Sequence, residues 1–494
     1  MKFNRIAAAA LLLGAVATAF GAKTPDQLRV YINPGHGSWT GNDRPMQVIG
    51  KGAYSATNTD TTGFFESNTN LQKGFGVLEK LIEMGMPFDR SLGQSGERWE
   101  IGAARVLTQN IVMSRVKNGP YEANNTTSSP NYMQYNRKLL EIATEVEHNE
   151  FDIFISIHSN AASSPTTNYH LFMYRGHNGK DNVLAPGSWE MAEAAAKYSF
   201  ANDHAAWSVN YPYINGDIDF MSSDNTGSTN ELGYYGYLGV LKHGVPGYLV
   251  EGYFHTYMPS THRAMNFDVD IIEGYQYARG VAEYFQFEHR DGTGEIYGIA
   301  RDMHERFTHA LYKANPTTDD KYKPLNGVDV VLKKDGVQVA TYKTDEFYNG
   351  AFVFKGLQPG TYTVELSHPD YKAPEPLTVE VKAGVTSYPK VFMETVDYVP
   401  PTDIAYNYPD PLAGNGSILP AARYNITSVY ADEPIAELEG LSVKRTFVRN
   451  GKMYILALDK PVEFAAVVAA DQQAKATILV YDLANKQVVA KVST

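Results

Sequence analysis

Residues 152–160 read DIFISIHSN, an apolar run that stops at a histidine followed by two small polar residues. A short continuous run of this kind suits a strand covered on both faces, as in the middle of a parallel sheet. Three further runs share the texture: LRVYI (28–32), YHLFMY (169–174) and GYLVEGY (247–253). Helix-periodic segments lie among them. In Asn70–Met84 the residues Leu71, Phe75, Leu78 and Ile82 fall on one face, and in Asn136–His148 Leu139, Leu140, Ala143 and Val146 do the same. Trp189–Ala201 is alanine-rich, and Ile271, Tyr275, Ala278, Ala282 and Phe285 mark a closing helix. This alternation predicts an α/β domain over 27–288, with a mainly parallel sheet flanked by helices.

After His289 the texture changes to short alternating strands separated by KKDG (333–336), LQPG (357–360), HPDY (368–371) and KAG (382–384). Such turn signals predict a β-sandwich over 293–396. The linker DYVPPTD (397–403) precedes strand-like runs at 445–458 and 475–483, so 397–494 reads as a small β-rich module. The polar segments 41–63 and 117–132 are longer than ordinary connections, a property of functional or mobile loops.

Lys2 and Arg5 precede an apolar run from Ile6 to Phe20 with small residues near its end, the pattern of a secretory signal peptide at 1–22. No later stretch approaches the roughly 20 apolar residues of a membrane helix. The expected product is exported, either periplasmic or extracellular and associated with the cell envelope, without a membrane span. There is no cysteine among the 494 residues, which excludes disulfides, thiolate metal sites and cysteine nucleophiles. A net charge of −12 without a dense Lys/Arg run argues against nucleic acid as a partner.

In open α/β sheets ligands bind beyond the carboxyl ends of the strands. LRVYI leads into Asn33-Pro34-Gly35-His36-Gly37, FISI into His158-Ser159-Asn160, and GYLV into Glu251-Gly252. A histidine at one strand end is usually a hydrogen-bonded structural residue; three such strand ends together point to a site. Glu66, just before the Asn70 helix, would complete a His₂Glu zinc set that leaves a coordination position for water, with Glu251 as general base. HERFTH (304–309) has one residue too many for HExxH: histidines five apart on a helix point about 140° away from each other. It reads as a surface or strand-edge feature, and His170, His177, His204, His243, His255 and His262 as structural or solvated. No GxSxG or phosphate loop is present.

INPGHG, FFESNTNLQKG, DIFISIHSNAA and VPGYLVEGYF together resemble the successive motifs of type 3 zinc N-acetylmuramoyl-L-alanine amidases, over about residues 28–286. The resemblance implies Zn²⁺ held by His36, Glu66 and His158, Glu251 as the catalytic carboxylate, and peptidoglycan as substrate, cut between N-acetylmuramic acid and L-alanine. It implies a structural role for Arg137, and Asn160 is a candidate for supporting hydrogen bonds. In some relatives an inserted element covers the zinc until an activating protein partner removes it; Trp189–Ala201 or residues 213–228 are the segments placed for that here. The chain departs from the family in Asn33, where aspartate is usual, and in long His36–Glu66 and His158–Glu251 spacings. Two alternatives follow: another secreted zinc peptidase or amidase acting on muropeptides, or a cell-wall binding protein with a degenerate site. Residues 293–395 resemble carboxypeptidase-regulatory-like modules, which implies an accessory role.

Overall fold

The computed structural model describes residues 23–37, 46–51, 59–87, 100–101, 104–106, 110–116, 118, 139–200, 213–220, 238–288, 290–398, 435–459 and 475–493. The expectations for 1–22, Arg137, His204 and 221–228 fall outside the described residues. Among those described, no helix is long and apolar enough to cross a membrane. The chain divides into two compact units, Met1–Tyr398 and Val399–Thr494.

The first unit opens with β1 (Val30–Pro34), β2 (Met46–Ile49), β3 (Thr59–Phe64), α1 (Glu66–Glu83), β4 (Glu100–Ile101), β5 (Ala104–Val106) and β6 (Ile111–Met113). There follow α2 (Leu139–His148), β7 (Ile153–Asn160), β8 (Leu171–Tyr174), α3 (Ser188–Phe200), β9 (Tyr213–Gly216), α4 (Asp217–Phe220), β10 (Gly247–Phe254), α5 (Met258–Ala264) and α6 (Phe267–Tyr284). Eight strands form one sheet in the order β4-β5-β6-β1-β7-β10-β8-β9, while β2 and β3 pair as a separate hairpin. The centre, β6-β1-β7-β10, is parallel. Its flanks are not: β8 runs antiparallel to β10, and β5 is antiparallel to both β4 and β6. An apolar run such as Leu171–Tyr174 is buried in either direction, which is why its texture does not reveal its sense.

Alternation of side chains builds three layers. Val30, Ile32, Ile153, Ile155, Ile157, Tyr248 and Val250 face α1, α3 and α6, whereas Tyr31, Phe154 and Leu249 face Ile142 and Val146 of α2. α1 starts at Glu66, four residues before the apolar periodicity does, because its first turn is polar and buried: Glu66, Ser67, Thr69 and Asn70. α1 and α6 pack backbone to backbone. A Cβ on Gly76 would lie 2.3 Å from the Ile271 carbonyl oxygen, and one on Gly274 would lie 2.1 Å from that of Lys73. Between the two helices Lys73, fully buried, pairs with Glu273 at 2.8 Å.

Within the same unit, β11 (Gly294–Arg306), β12 (Tyr322–Pro324), β13 (Asp329–Lys334), β14 (Val337–Lys343), β15 (Ala351–Leu357), β16 (Gly360–Ser367), β17 (Leu377–Val381), β18 (Thr386–Ser387) and β19 (Lys390–Met393) make a sandwich. One sheet runs β14-β13-β16-β17; the other gathers β12, β15, β18 and β19 around β11. Ile296, Val330, Leu332, Phe352, Val364 and Val391 fill the space between them. The sandwich is packed onto the α/β part. Val269, Ile272 and Tyr275 of α6 share a cluster with Tyr297, Ile299, Ala351 and Val353, and Arg263 and Arg301 both bind Asp320, at 2.8 and 3.0 Å.

The second unit is an antiparallel sheet of β20 (Ser442–Arg449), β21 (Lys452–Leu458), β22 (Ala476–Asp482) and β23 (Gln487–Ser493). Asn450 and Gly451 both have positive φ and make the tight turn of its first hairpin. Met453, Ile455, Leu479 and Tyr481 form its core.

Candidate metal centre

β1 leaves the sheet at Pro34, and His36 takes the left-handed backbone region, φ 61°. A non-glycine residue there costs about 1–2 kcal/mol, which the surrounding contacts must supply. Gly35 makes the approach of the two strand ends feasible: a Cβ on it would stand 2.1–2.5 Å from three atoms of the His158 ring. Glu66, in the first turn of α1, places its carboxylate at the positive end of the helix dipole. Its Oε2 lies 3.1 Å from His36 Nε2 and its Oε1 3.2 Å from His158 Nδ1.

One ligand atom from each of His36, Glu66 and His158 lies within 4.8 Å of the others. Zinc bonds of about 2.0–2.1 Å in a tetrahedron put neighbouring donors about 3.3 Å apart, and each imidazole stands at that spacing from one of the two Glu66 oxygens. The Glu66 side chain is 2% exposed and each imidazole 15%, which leaves solvent access on the histidine side. Burial opposes ionisation of Glu66, but the His36 charge and hydrogen bonds to both imidazoles outweigh it and hold the carboxyl well below the usual range. Burial pushes His158 down against the pull of Glu66. Both shifts favour the deprotonated forms that bind metal.

Neighbouring groups fix the carboxylate. The Ser159 backbone N–H donates to Glu66 Oε1 at 2.8 Å, and Asn70 Nδ2 donates to the same oxygen at 3.3 Å. Arg115, just after β6, donates from Nε to the Pro34 carbonyl and from Nη2 to those of Gly35 and Ser67, tying the β1 exit to the start of α1. His255 Nδ1 lies 3.0 Å from Ser159 Oγ and 4.0 Å from Glu66 Oε2. Sequence reasoning passed over Arg115 and placed His255 among the structural histidines. Both follow strands of this sheet, so the strand-end rule extended to the short run Ile111–Met113, and four residues beyond Glu251, would have found them.

Asn33 is buried and accepts from Ser114 Oγ (2.7 Å) while donating to Ser156 Oγ (2.8 Å), a neutral link across β6, β1 and β7. Asn160 makes no side-chain bond to the cluster; its Oδ1 accepts from Ala161 N–H, and its carbonyl accepts from His255 N–H. Glu251 on β10 is the register partner of His158 on β7, so the two side chains leave the sheet on the same face, about one strand spacing of 4.8 Å apart. In HERFTH, His304 lies on the exposed end of β11, whereas His309 is buried. α3 is not a cover: Met191, Ala192, Ala195 and Ala196 pack in the helical layer with α6.

A family model described as "BOS complex subunit NOMO1-like, second beta sandwich domain" matches residues 317–394. No curated protein matches the chain. Solved structures to which it is similar include N-acetylmuramoyl-L-alanine amidases. AmiC2 of Nostoc punctiforme is 19% identical, with 52% of this chain and 97% of that one covered, at a TM-score of 0.30. The catalytic domain of CwlV from Bacillus (Paenibacillus) polymyxa var. colistinus is 16% identical, covering 53% and 99%, at 0.29. CwlD of Clostridioides difficile, solved in complex with the GerS lipoprotein, is 15% identical, covering 52% and 98%, at 0.30.

Proposed function

We propose that this chain is an exported zinc hydrolase that cleaves the amide between N-acetylmuramic acid and L-alanine of peptidoglycan. One observation carries the reading: two imidazoles and a carboxylate converge at the carboxyl end of a parallel sheet, with Glu251 level with His158 on the next strand. The amide bond and its glycopeptide setting come from the motifs INPGHG, FFESNTNLQKG, DIFISIHSNAA and VPGYLVEGYF.

His36, Glu66 and His158 would hold the zinc, which supplies an acidified water and polarisation of the scissile carbonyl. The backbone N–H of Ser159 and the amide of Asn70 keep the Glu66 carboxylate in place. Glu251 accepts a proton from the attacking water and returns it to the nitrogen of L-alanine as the C–N bond breaks. The products are a free carboxyl on the lactyl group and a stem peptide with a free amino terminus.

The test is Glu251→Ala in the full chain, with metal content and the mass spectrum of digested sacculi as readouts. The expected variant keeps wild-type zinc and loses stem-peptide release by 10²-fold or more, the scale of a general base. Release at the wild-type rate would remove Glu251 from the reaction, and products other than intact stem peptides would remove the substrate assignment.

A further inference from the structure

We infer that the β-sandwich is part of the metal centre's scaffold, with His262 as the positioning residue through which it holds the hairpin that delivers Glu66. This inference rests on the metal-binding reading of Glu66 above.

The hairpin β2–β3 ends at Phe64, two residues before Glu66, and pairs Met46 with Phe64 and Ile49 with Thr59. Its apolar side packs on the end of β10, on α5 and on the sandwich: Val48, Ile49 and Phe64 form one cluster with Tyr253, Met258 and Ala264, which follow Glu251, and with Phe307, Tyr312 and Tyr348 of the sandwich. His262, fully buried on α5, bridges the hairpin and the sandwich. The Ile49 backbone N–H donates to its Nε2 at 3.3 Å, so Nδ1 carries the proton and donates to the Phe347 carbonyl. Burial pushes His262 down to about 4, which keeps it neutral and able to accept. Asn349 Nδ2 donates to the His262 carbonyl at 3.0 Å, and Lys51, just past β2, lies over the Phe347 ring at 4.3 Å.

The sandwich loop itself is strained to reach this place. Tyr348 has φ 53°, a left-handed conformation for a bulky residue, yet it is buried and stacked on Phe307. Strain of this kind persists only where the packing it permits is worth more. The other half of the junction, along α6, is anchored without reference to the hairpin, for example by Gln276 Nε2 donating to Tyr388 OH at 2.8 Å.

The experiment compares His262→Leu, His262→Gln and Gln276→Leu in the full chain. Zinc affinity of the apo protein is read by chelator competition, and amide exchange is read at Ile49, Phe65 and Glu66. His262→Leu is expected to weaken zinc at least tenfold and to accelerate exchange at all three amides. His262→Gln, which keeps an acceptor for Ile49, should recover part of both, while Gln276→Leu should leave both unchanged even where it lowers the denaturation midpoint. If His262→Leu does not fold, Tyr348→Leu takes its place with the same expectation. Equal affinities and exchange rates in the hairpin-side and α6-side variants would overturn the inference. A wild-type protein that takes up no zinc would overturn the metal reading instead, and the apo exchange rates would still decide the positioning.

Discussion

Among the described residues of the first unit, buried charge is arranged in two opposite ways. At the junction with the sandwich, Asp320 accepts from Arg263 and Arg301, and Lys80 and Arg279 share Asp291 and Glu295. Every charge there meets its opposite, and the groups are at most 9% exposed. At the sheet end a single carboxylate faces two imidazoles, burial pushes one of them, His158, down, and one side stays open. The junction pairs each of these charges with its opposite; the sheet-end cluster gathers three ligand atoms within 4.8 Å of one another. Buried charge alone therefore marks no function.

The largest test of that contrast is Asp320→Asn. It leaves two buried guanidiniums without their anion, and the expected loss is about 3–5 kcal/mol of unfolding free energy in denaturant titration. Zinc stoichiometry should be unchanged in the folded fraction. A variant that stays stable but loses metal would reverse the roles assigned to the two clusters.

Gly35→Ala probes the sheet end with the smallest side chain available. The new methyl would occupy the place of the His158 ring, and His158 cannot withdraw without leaving Glu66. Zinc affinity should fall about 10–100-fold, the scale seen when a ligand's orientation is disturbed, with a smaller change in thermal midpoint. An unchanged affinity would mean that the strand ends are not in contact in solution.

How much of this was legible follows from range. The strands were readable because buried runs such as Phe154–Ile157 carry their own texture, and the strand-end rule pointed to His36 and His158, which do converge, and to Glu251, which stands beside His158, although His158 and Glu251 lie within strands that run two and three residues further. The start of α1 was not, because a polar first turn has no apolar period. Lys73 and Lys80 fall on the side of the helix opposite Leu71, Phe75, Leu78 and Ile82, yet both are fully buried. Their partners, Glu273, Asp291 and Glu295, lie about 200 residues along the chain, and no local pattern specifies such a pairing. His262 has the same character: its partners come from residues 49 and 347.

Acid should separate the two clusters more gently than mutation does. Burial opposes the charge on Asp320, but Arg263 and Arg301 win and hold its carboxyl far below the ordinary range. A depressed carboxylate contributes stability that is complete above its unfolded value, about 3.9, and is lost as pH falls toward the folded value. The urea midpoint of the wild type should therefore be flat in this contribution from pH 7 to about 5 and fall below about pH 4, while the gap between wild type and Asp320→Asn narrows over the same acid interval. Metal binding should respond earlier, since protons compete for imidazoles at a higher pH than for a paired aspartate, even for a His158 that burial has lowered. Zinc release followed against unfolding in one acid titration should thus give two transitions, with the metal leaving a folded protein. A single transition, with zinc lost only on unfolding, would mean that the open cluster is as locked into the fold as the closed one.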